Sequence, residues 1–430
     1  MSAIGITTQP GASLGERFLL SNGLAVRFKR LAYAKSVAIN GFLRAGSNLD
    51  PAGLPGLAAF TAGVLVEKQK RTYSCADDDL DAIGATITID AGRQVIVFKA
   101  RCLPDDLQLV LEVLAKTLFD PLFTREDVQR QRATALSGLK RMKNVASSVA
   151  DESFRRLLYG SDHPYGRTVR PTLETVECVR LEDVIGFHSQ TYGPQSGMLG
   201  IVANTCPVKT RRMVERIWGT WPARKTVRDK TIPFAPPLTA NLHSHVEIPL
   251  CRQLTLVTGG YGPARDSPDY LAARVADTII GKLGIQGRIG RSLRKEGAAY
   301  ECGSRLGAGA GPIAEPWCMY ATISPERFRM TVDIILNETR RLCEEPIEEE
   351  ELANAKAHLI GSLQLKLGSC TGMASLLAAV EINQLPEDYA VSFGQHINAI
   401  DSEAVRAAAH SYLNRSGRVL ATAGTEAEWH

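Results

Sequence analysis

Apolar and polar positions fall into short strand-like runs near the start of the chain, at Leu24–Leu31 (LAVRFKRL) and Ser36–Gly46 (SVAINGFLRAG). They do so again at Leu254–Gly262 (LTLVTGGYG). Short runs of this kind predict strands. Elsewhere the spacing lengthens. Leu107, Val110, Leu111, Leu114 and Leu118 recur three and four residues apart, which predicts a helix with one apolar side.

The pattern occurs twice. "ITIDAGRQVIVFKARCLPDDLQLVLEVLAKTLFDPLFTREDVQRQRATALSGL" reads strand, turn, strand, helix, Pro break, helix. "WCMYATISPERFRMTVDIILNETRRLCEEPIEEEELANAKAHLIGSL" reads strand, helix, Pro break, helix. Pro104 matches Pro325, Pro121 matches Pro346, and acidic residues after each Pro suit a helix N-terminus. Each copy closes on a helix and a strand, "LEDVIGFHSQTYGPQSGMLGIVAN" and "SEAVRAAAHSYLNRSGRVLATAG". An internal repeat of this kind outweighs any single motif. It predicts an α+β fold of two homologous domains, each a mostly antiparallel sheet with helices packed on one face.

Composition sets the division. A chain of 430 residues exceeds what one core fills. Around Trp221–His245 it turns basic and Pro-punctuated and loses its periodicity, as a linker does. The expected organisation is an N-terminal domain over 1–222, a linker over 223–240 and a C-terminal domain over 241–430. With 44% hydrophobic and 22% charged residues the composition is that of a soluble globular protein. A net charge of +4 without a dense Lys/Arg block argues against nucleic acid or a membrane surface as partner. Nine scattered cysteines without C-x-x-C spacing read as reduced thiols. No basic segment followed by an apolar run opens the chain. The expectation is a cytoplasmic location, or a periplasmic one if a signal peptide has been removed.

Several familiar motifs are absent. The Gly-rich pieces GGYGPARD, GKLGIQGRIG and GAGAG lack P-loop spacing and a dinucleotide fingerprint, so they read as turns or hinges. There is no G-x-S-x-G elbow. His243 and His245 alternate at a strand start without an acidic or Cys partner at a motif spacing, and His163 in HPYGR reads as a structural turn residue.

One helical stretch, Gly53–Ser74 (GLPGLAAFTAGVLVEKQKRTYS), is framed like a catalytic segment yet carries no acid, base, nucleophile or metal ligand at its centre. It resembles the first helix of the pitrilysin/insulinase (inverzincin) metallopeptidases, a family that includes mitochondrial processing peptidase and respiratory-complex core proteins. There G-x-A-H-x-x-E-H supplies two zinc ligands and a general base. The resemblance puts Ala59 at the first ligand, Ala62 at the base and Gly63 at the second ligand. It puts Gly138 at the downstream Glu ligand and Gln131 at a supporting Glu. HPYGR and EELANAKAHLIGSL are similar to further recurring segments. Methyl groups and hydrogens coordinate nothing, so the resemblance implies a member with no catalytic residue and no zinc of its own, zinc being expected in a partner.

In the second half, RIGRSLRKEGAAYECGSR resembles the family segment that places an Arg and a Tyr against substrate and oxyanion. These would be Arg294 and Tyr300, with Arg291 as a substitute because the interval is one residue short. The implied protein is one half of a clam-shell: a catalytically silent subunit paired with a homologous, zinc-bearing H-x-x-E-H subunit and acting on peptides. Substrate would add as a strand along an edge within Ala85–Val97. Two alternatives are a non-enzymatic scaffold and, more remotely, a peptidase using a metal at His243 and His245.

Overall fold

The structure is a computed structural model that describes residues 14–72, 80–223, 231–307 and 313–425. The first half of the chain runs β1 (Glu16–Leu19), β2 (Ala25–Arg30), β3 (Val37–Leu43), α1 (Leu57–Thr72), β4 (Thr86–Ala91) and β5 (Ile96–Cys102). It continues with α2 (Leu107–Phe119), α3 (Arg125–Met142), α4 (Ala146–Tyr159), α5 (Leu173–Cys178), α6 (Leu181–Thr191), β6 (Gly197–Ala203) and α7 (Pro207–Trp218). The second half runs β7 (Leu242–Glu247), β8 (Leu254–Tyr261), α8 (Tyr270–Asp277), α9 (Arg288–Lys295), β9 (Ala299–Leu306) and β10 (Pro316–Ile323). It ends with α10 (Phe328–Glu344), α11 (Glu349–Leu367), α12 (Cys370–Ile382), α13 (Tyr389–Ala399), α14 (Ser402–Leu413) and β11 (Val419–Gly424). The middle of the basic stretch, 224–230, and most of GAGAG lie outside the described residues.

The two sheets repeat one topology. The first has the order β1-β2-β6-β3-β5-β4 and the second β7-β11-β8-β10-β9. In each, one parallel pair (β2 with β6, β7 with β11) is followed by antiparallel pairs out to an edge strand, β4 or β9. The Pro pairing read from the sequence holds as well. Pro104 and Pro325 each open a 3-10 turn that runs into α2 or α10. Proline suits that place because its fixed φ fits the helix and its missing N–H has no partner to lose there.

One face of each sheet is packed by helices from the same half of the chain. Phe98 of β5 stacks on Trp218 of α7 at 5.7 Å between ring centroids. In the second sheet the indole N–H of Trp317 on β10 donates to Asp277 at the end of α8. The opposite face of each sheet is covered by a helix from the other half of the chain. α12 lies on the first sheet, where Ser375 meets Asn40 of β3 and Glu381 meets Arg27 of β2. α4 lies on the second, burying Ala150, Phe154 and Leu158 against Val257, Val419 and Ala421. Two compact units result, one of residues 1–137, 168–231 and 363–392, the other of 138–167, 232–362 and 393–430. No single described helix is long and apolar enough to cross a membrane.

Candidate functional site

α1 begins where the Asp50 carboxylate accepts from the backbone N–H groups of Gly56 (2.7 Å) and Ala58 (2.8 Å). This carboxylate satisfies donors that every helix N-terminus leaves open, with the sign the helix dipole favours. Gly56 has φ +86°, and a Cβ there would fall 2.2 Å from Pro171, so only glycine makes this entry. Phe60, Val64 and Leu65 are then fully buried. The helix is held by its packing and needs no chemistry to persist.

Ala62 is buried, while Ala59 and Gly63 are partly exposed. Gln131 of α3 fills the space above Gly63, where an added Cβ would lie 2.2 Å from Nε2 and 2.6 Å from Oε1. Gly138 sits two turns further along α3 with open space where its side chain would be. Methyl groups, hydrogens and one carboxamide do not make the anionic and imidazole donor set that a catalytic zinc requires. Among the described residues no group of three or more His, Cys, Asp or Glu would hold a metal ion.

The same helix packs on β4, and among the described residues no strand pairs with its outer edge. Thr86, Thr88 and Asp90 of β4 are exposed and Ile89 is buried. An unpaired strand edge can pair with an extended chain.

In the second unit, α9 carries three arginines in different states. Arg288 is buried and donates through Nε and Nη2 to both oxygens of Glu351 on α11, at 2.6 Å for the shortest. Arg291 donates to the same carboxylate at 2.7 Å. Arg294 is exposed, and among the described residues no hydrogen bond or ion pair engages its guanidinium. Tyr300 falls near the start of β9, the edge strand. There Thr322 faces Glu301 and Ile323 faces Ala299, so Tyr300 is the extra residue of a bulge. Bulges recur next to active sites, where they redirect a position. The side chain of Tyr300 lies outside the described residues.

Two of the histidines singled out in the sequence have hydrogen-bond partners. His163 is buried; its Nδ1 accepts from the Tyr165 N–H and its Nε2 donates to the Pro233 carbonyl, both at 3.0 Å. His245 lies on β7 with Nδ1 2.9 Å from the Thr422 hydroxyl. Sequence reasoning missed the Glu351 clamp that distinguishes Arg294 from Arg291, since the carboxylate is 60 residues from Arg291. It also missed the exposed pair Lys99 and Arg101 on β5, whose signal was their alternation.

Comparison with known proteins supplies the last observation. Residues 26–169 match the model of "Insulinase (Peptidase family M16)" and residues 179–359 that of "Peptidase M16 inactive domain". A protein of Rickettsia bellii called an uncharacterized zinc protease is 23% identical over 383 residues, 88% of each chain. A crystal structure titled as a peptidase M16 inactive domain, from Pseudomonas fluorescens, superposes with a TM-score of 0.84 at 21% identity, covering 96% of this chain and 98% of that one. A chain of complex III from Candida albicans gives a TM-score of 0.79 at 17% identity, covering 95% of each.

Proposed function

We propose that this chain, which belongs to the M16, insulinase-like peptidase family, is the zinc-free subunit of a peptidase pair. A homologous partner carrying H-x-x-E-H would hold the metal, and this chain would supply Arg294 and Tyr300 to bind substrate and the developing oxyanion. The observation that carries the reading is the exposed guanidinium of Arg294, which no other described residue engages, set on a helix whose neighbouring arginines Arg288 and Arg291 both engage Glu351. An arginine stays charged at any working pH and offers a planar fork to a carbonyl or oxyanion. Peptide would pair with an open strand edge such as β4 through main-chain hydrogen bonds. All eight described cysteines are free, which supports a reducing, cytoplasmic setting.

In the partner, zinc would polarise the scissile carbonyl and lower the pKa of its bound water. Ala59, Ala62 and Gly63 of this chain offer no atom for that step. Its contribution would be donors fixed in advance where charge develops, which act without reorganisation.

The test is reconstitution with an H-x-x-E-H homologue and a peptide cleavage assay. Arg294→Ala is expected to lower kcat/KM by about 10²-fold, the scale for removing one oxyanion donor, with Tyr300→Phe also impaired. Arg291→Ala, which removes a clamped residue, is expected to change it far less. The isolated chain is expected to retain no stoichiometric zinc and to cleave no peptide. Turnover in the pair that is indifferent to Arg294 would favour a scaffold subunit instead.

A further inference from the structure

We infer that the groove between α12 and the β4–β5 edge of the first sheet is a subsite for an acidic side chain of a peptide lying along β4. The inference rests on the peptide-binding part of the function proposed above, because the free edge of β4 is what identifies the occupant as an extended chain.

The groove has a volume of about 190 Å³. One wall is strand: Thr88 pairs with Lys99 and Thr86 with Arg101, so these four side chains share one face of the sheet. All four are exposed. Among the described residues neither the Lys99 ammonium nor the Arg101 guanidinium makes an ion pair or a hydrogen bond, unlike that of Arg27 on the same face, which two glutamates engage. The other wall is the start of α12, where Thr371 offers a hydroxyl, the Ser375 hydroxyl is taken up by the Thr371 carbonyl, and the first turn carries no acid. A helix start adds partial positive charge to that of the two cations.

On the floor, Asn40 is 5% exposed; its amide donates to Ser375 while its Oδ1 has no hydrogen-bond partner. That oxygen is itself buried beneath the groove, so the charge of Lys99 and Arg101 is what the groove presents. A strand added to β4 lies about 4.8 Å from it and directs every second side chain to one face. In register with Thr86 and Thr88, those side chains lie two strand spacings, about 9.6 Å, from β5, where a glutamate and the long Arg101 and Lys99 side chains meet across the two threonines. Asp90, the one acid on this face of β4, lies beyond the cations opposite Val97.

The experiment uses the full chain alone. A fluorescently labelled peptide with Glu at alternate positions and its Gln counterpart are titrated by anisotropy at low salt, with inorganic phosphate as a competing free anion. The Glu peptide is expected to bind about tenfold more tightly, the scale of one or two half-exposed charge pairs. The preference is expected to disappear in the double variant Lys99→Gln/Arg101→Gln and to survive Lys99→Arg. Both altered side chains are exposed, and a melting curve checks the fold of the variant. Equal binding of the two peptides, binding of neither, a preference that outlasts the double variant, or displacement by equimolar phosphate would each overturn the inference. If the Glu preference holds while Arg294→Ala leaves the reconstituted pair unaffected, the subsite stands and the catalytic role falls.

Discussion

A Cβ placed on Gly63 would stand 2.2 Å from Nε2 of Gln131, so these two residues share one space. In an ordinary helix interior, Gly→Ala stabilises by about 1 kcal/mol. Here the new methyl must first displace a carboxamide, an overpacking cost of about 1–3 kcal/mol, with the low end expected because the obstacle is the end of a flexible side chain. Gly63→Ala is therefore expected to be neutral or destabilising in the wild type and stabilising in Gln131→Ala. A double-mutant cycle by urea denaturation reads the coupling, expected at about 1 kcal/mol or more. Strict additivity would mean that Gln131 does not occupy the vacated position.

The strands, the Pro-led helices and the duplication were legible because each is set by local pattern: short, largely apolar runs at Val37–Leu43 and Leu254–Tyr261, proline at a helix start in 104 and 325. The exchange of α4 and α12 was not. The amphipathic run that buries Ala150, Phe154 and Leu158 says that one face must be covered, but nothing in it says by which sheet. The emptied positions 59, 62 and 63 were readable as identities, whereas the filling of the space by Gln131 depends on a contact 68 residues away that no periodicity encodes.

Arg27 fastens α12 to the first sheet and should set the acid limit of stability. Its side chain is 3% exposed and pairs with Glu381 at 2.9 Å; Arg17 reaches the same carboxylate at 2.8 Å. Burial opposes ionisation of Glu381, but hydrogen bonds from Arg17 and Arg27 outweigh it and hold the carboxyl below the usual range. The hydrogen bond from Arg27 likewise lowers Glu387, although that side chain is 65% exposed and its pair is largely screened by water. A carboxyl depressed on folding contributes stability that is present above its unfolded pKa, about 4.3, and lost as pH falls through the folded value. Stability is therefore expected to drop below about pH 4.3, and Glu381→Gln is expected to flatten that limb. Arg27→Met, which leaves Glu381 buried with one cation fewer, is expected to cost about 3 kcal/mol at neutral pH. Denaturant titrations across pH provide both readings.

Asp277 carries the opposite sign. Its carboxyl accepts from the Ser304 hydroxyl at 2.7 Å and from the Trp317 indole at 3.1 Å, tying α8 to β9 and β10. Burial raises its pKa; the hydrogen bond from Ser304, the charge of Lys282 and the remaining donors oppose this without reversing it. An acid whose pKa rises on folding binds more protons in the native state, so its contribution is fully present below the unfolded pKa and declines as pH rises toward the folded one. Asp277→Asn keeps an acceptor for both donors and has nothing to ionise. Relative to wild type it is expected to gain stability as pH is raised from about 4 toward neutrality. A difference that does not move with pH would mean the carboxylate is ionised at no cost. Asp277→Leu, which leaves the indole and hydroxyl without their acceptor, is expected to destabilise by about 1–3 kcal/mol at every pH.

The exchanged helices make each half of the chain dependent on the other. A fragment ending at residue 231 has its sheet but no α12, so Arg27 loses Glu381 and Glu387, and the Asn40 face of β3 loses Ser375. A fragment beginning at residue 232 lacks α4, so Val257, Val419 and Ala421 lose Phe154 and Leu158. Uncovering such a face leaves apolar area that costs about 25 cal/mol per Å² in water, and domain stability of 5–15 kcal/mol leaves little margin for that loss. Expressed singly, the fragments are expected to aggregate or to lack a cooperative transition. Co-expressed, they are expected to purify together in equal amounts with the far-UV spectrum of the intact chain, since all the contacts named here can form without the linker. A fragment that alone gives a sharp melt near that of the intact protein would show that its sheet does not need the other half's helix.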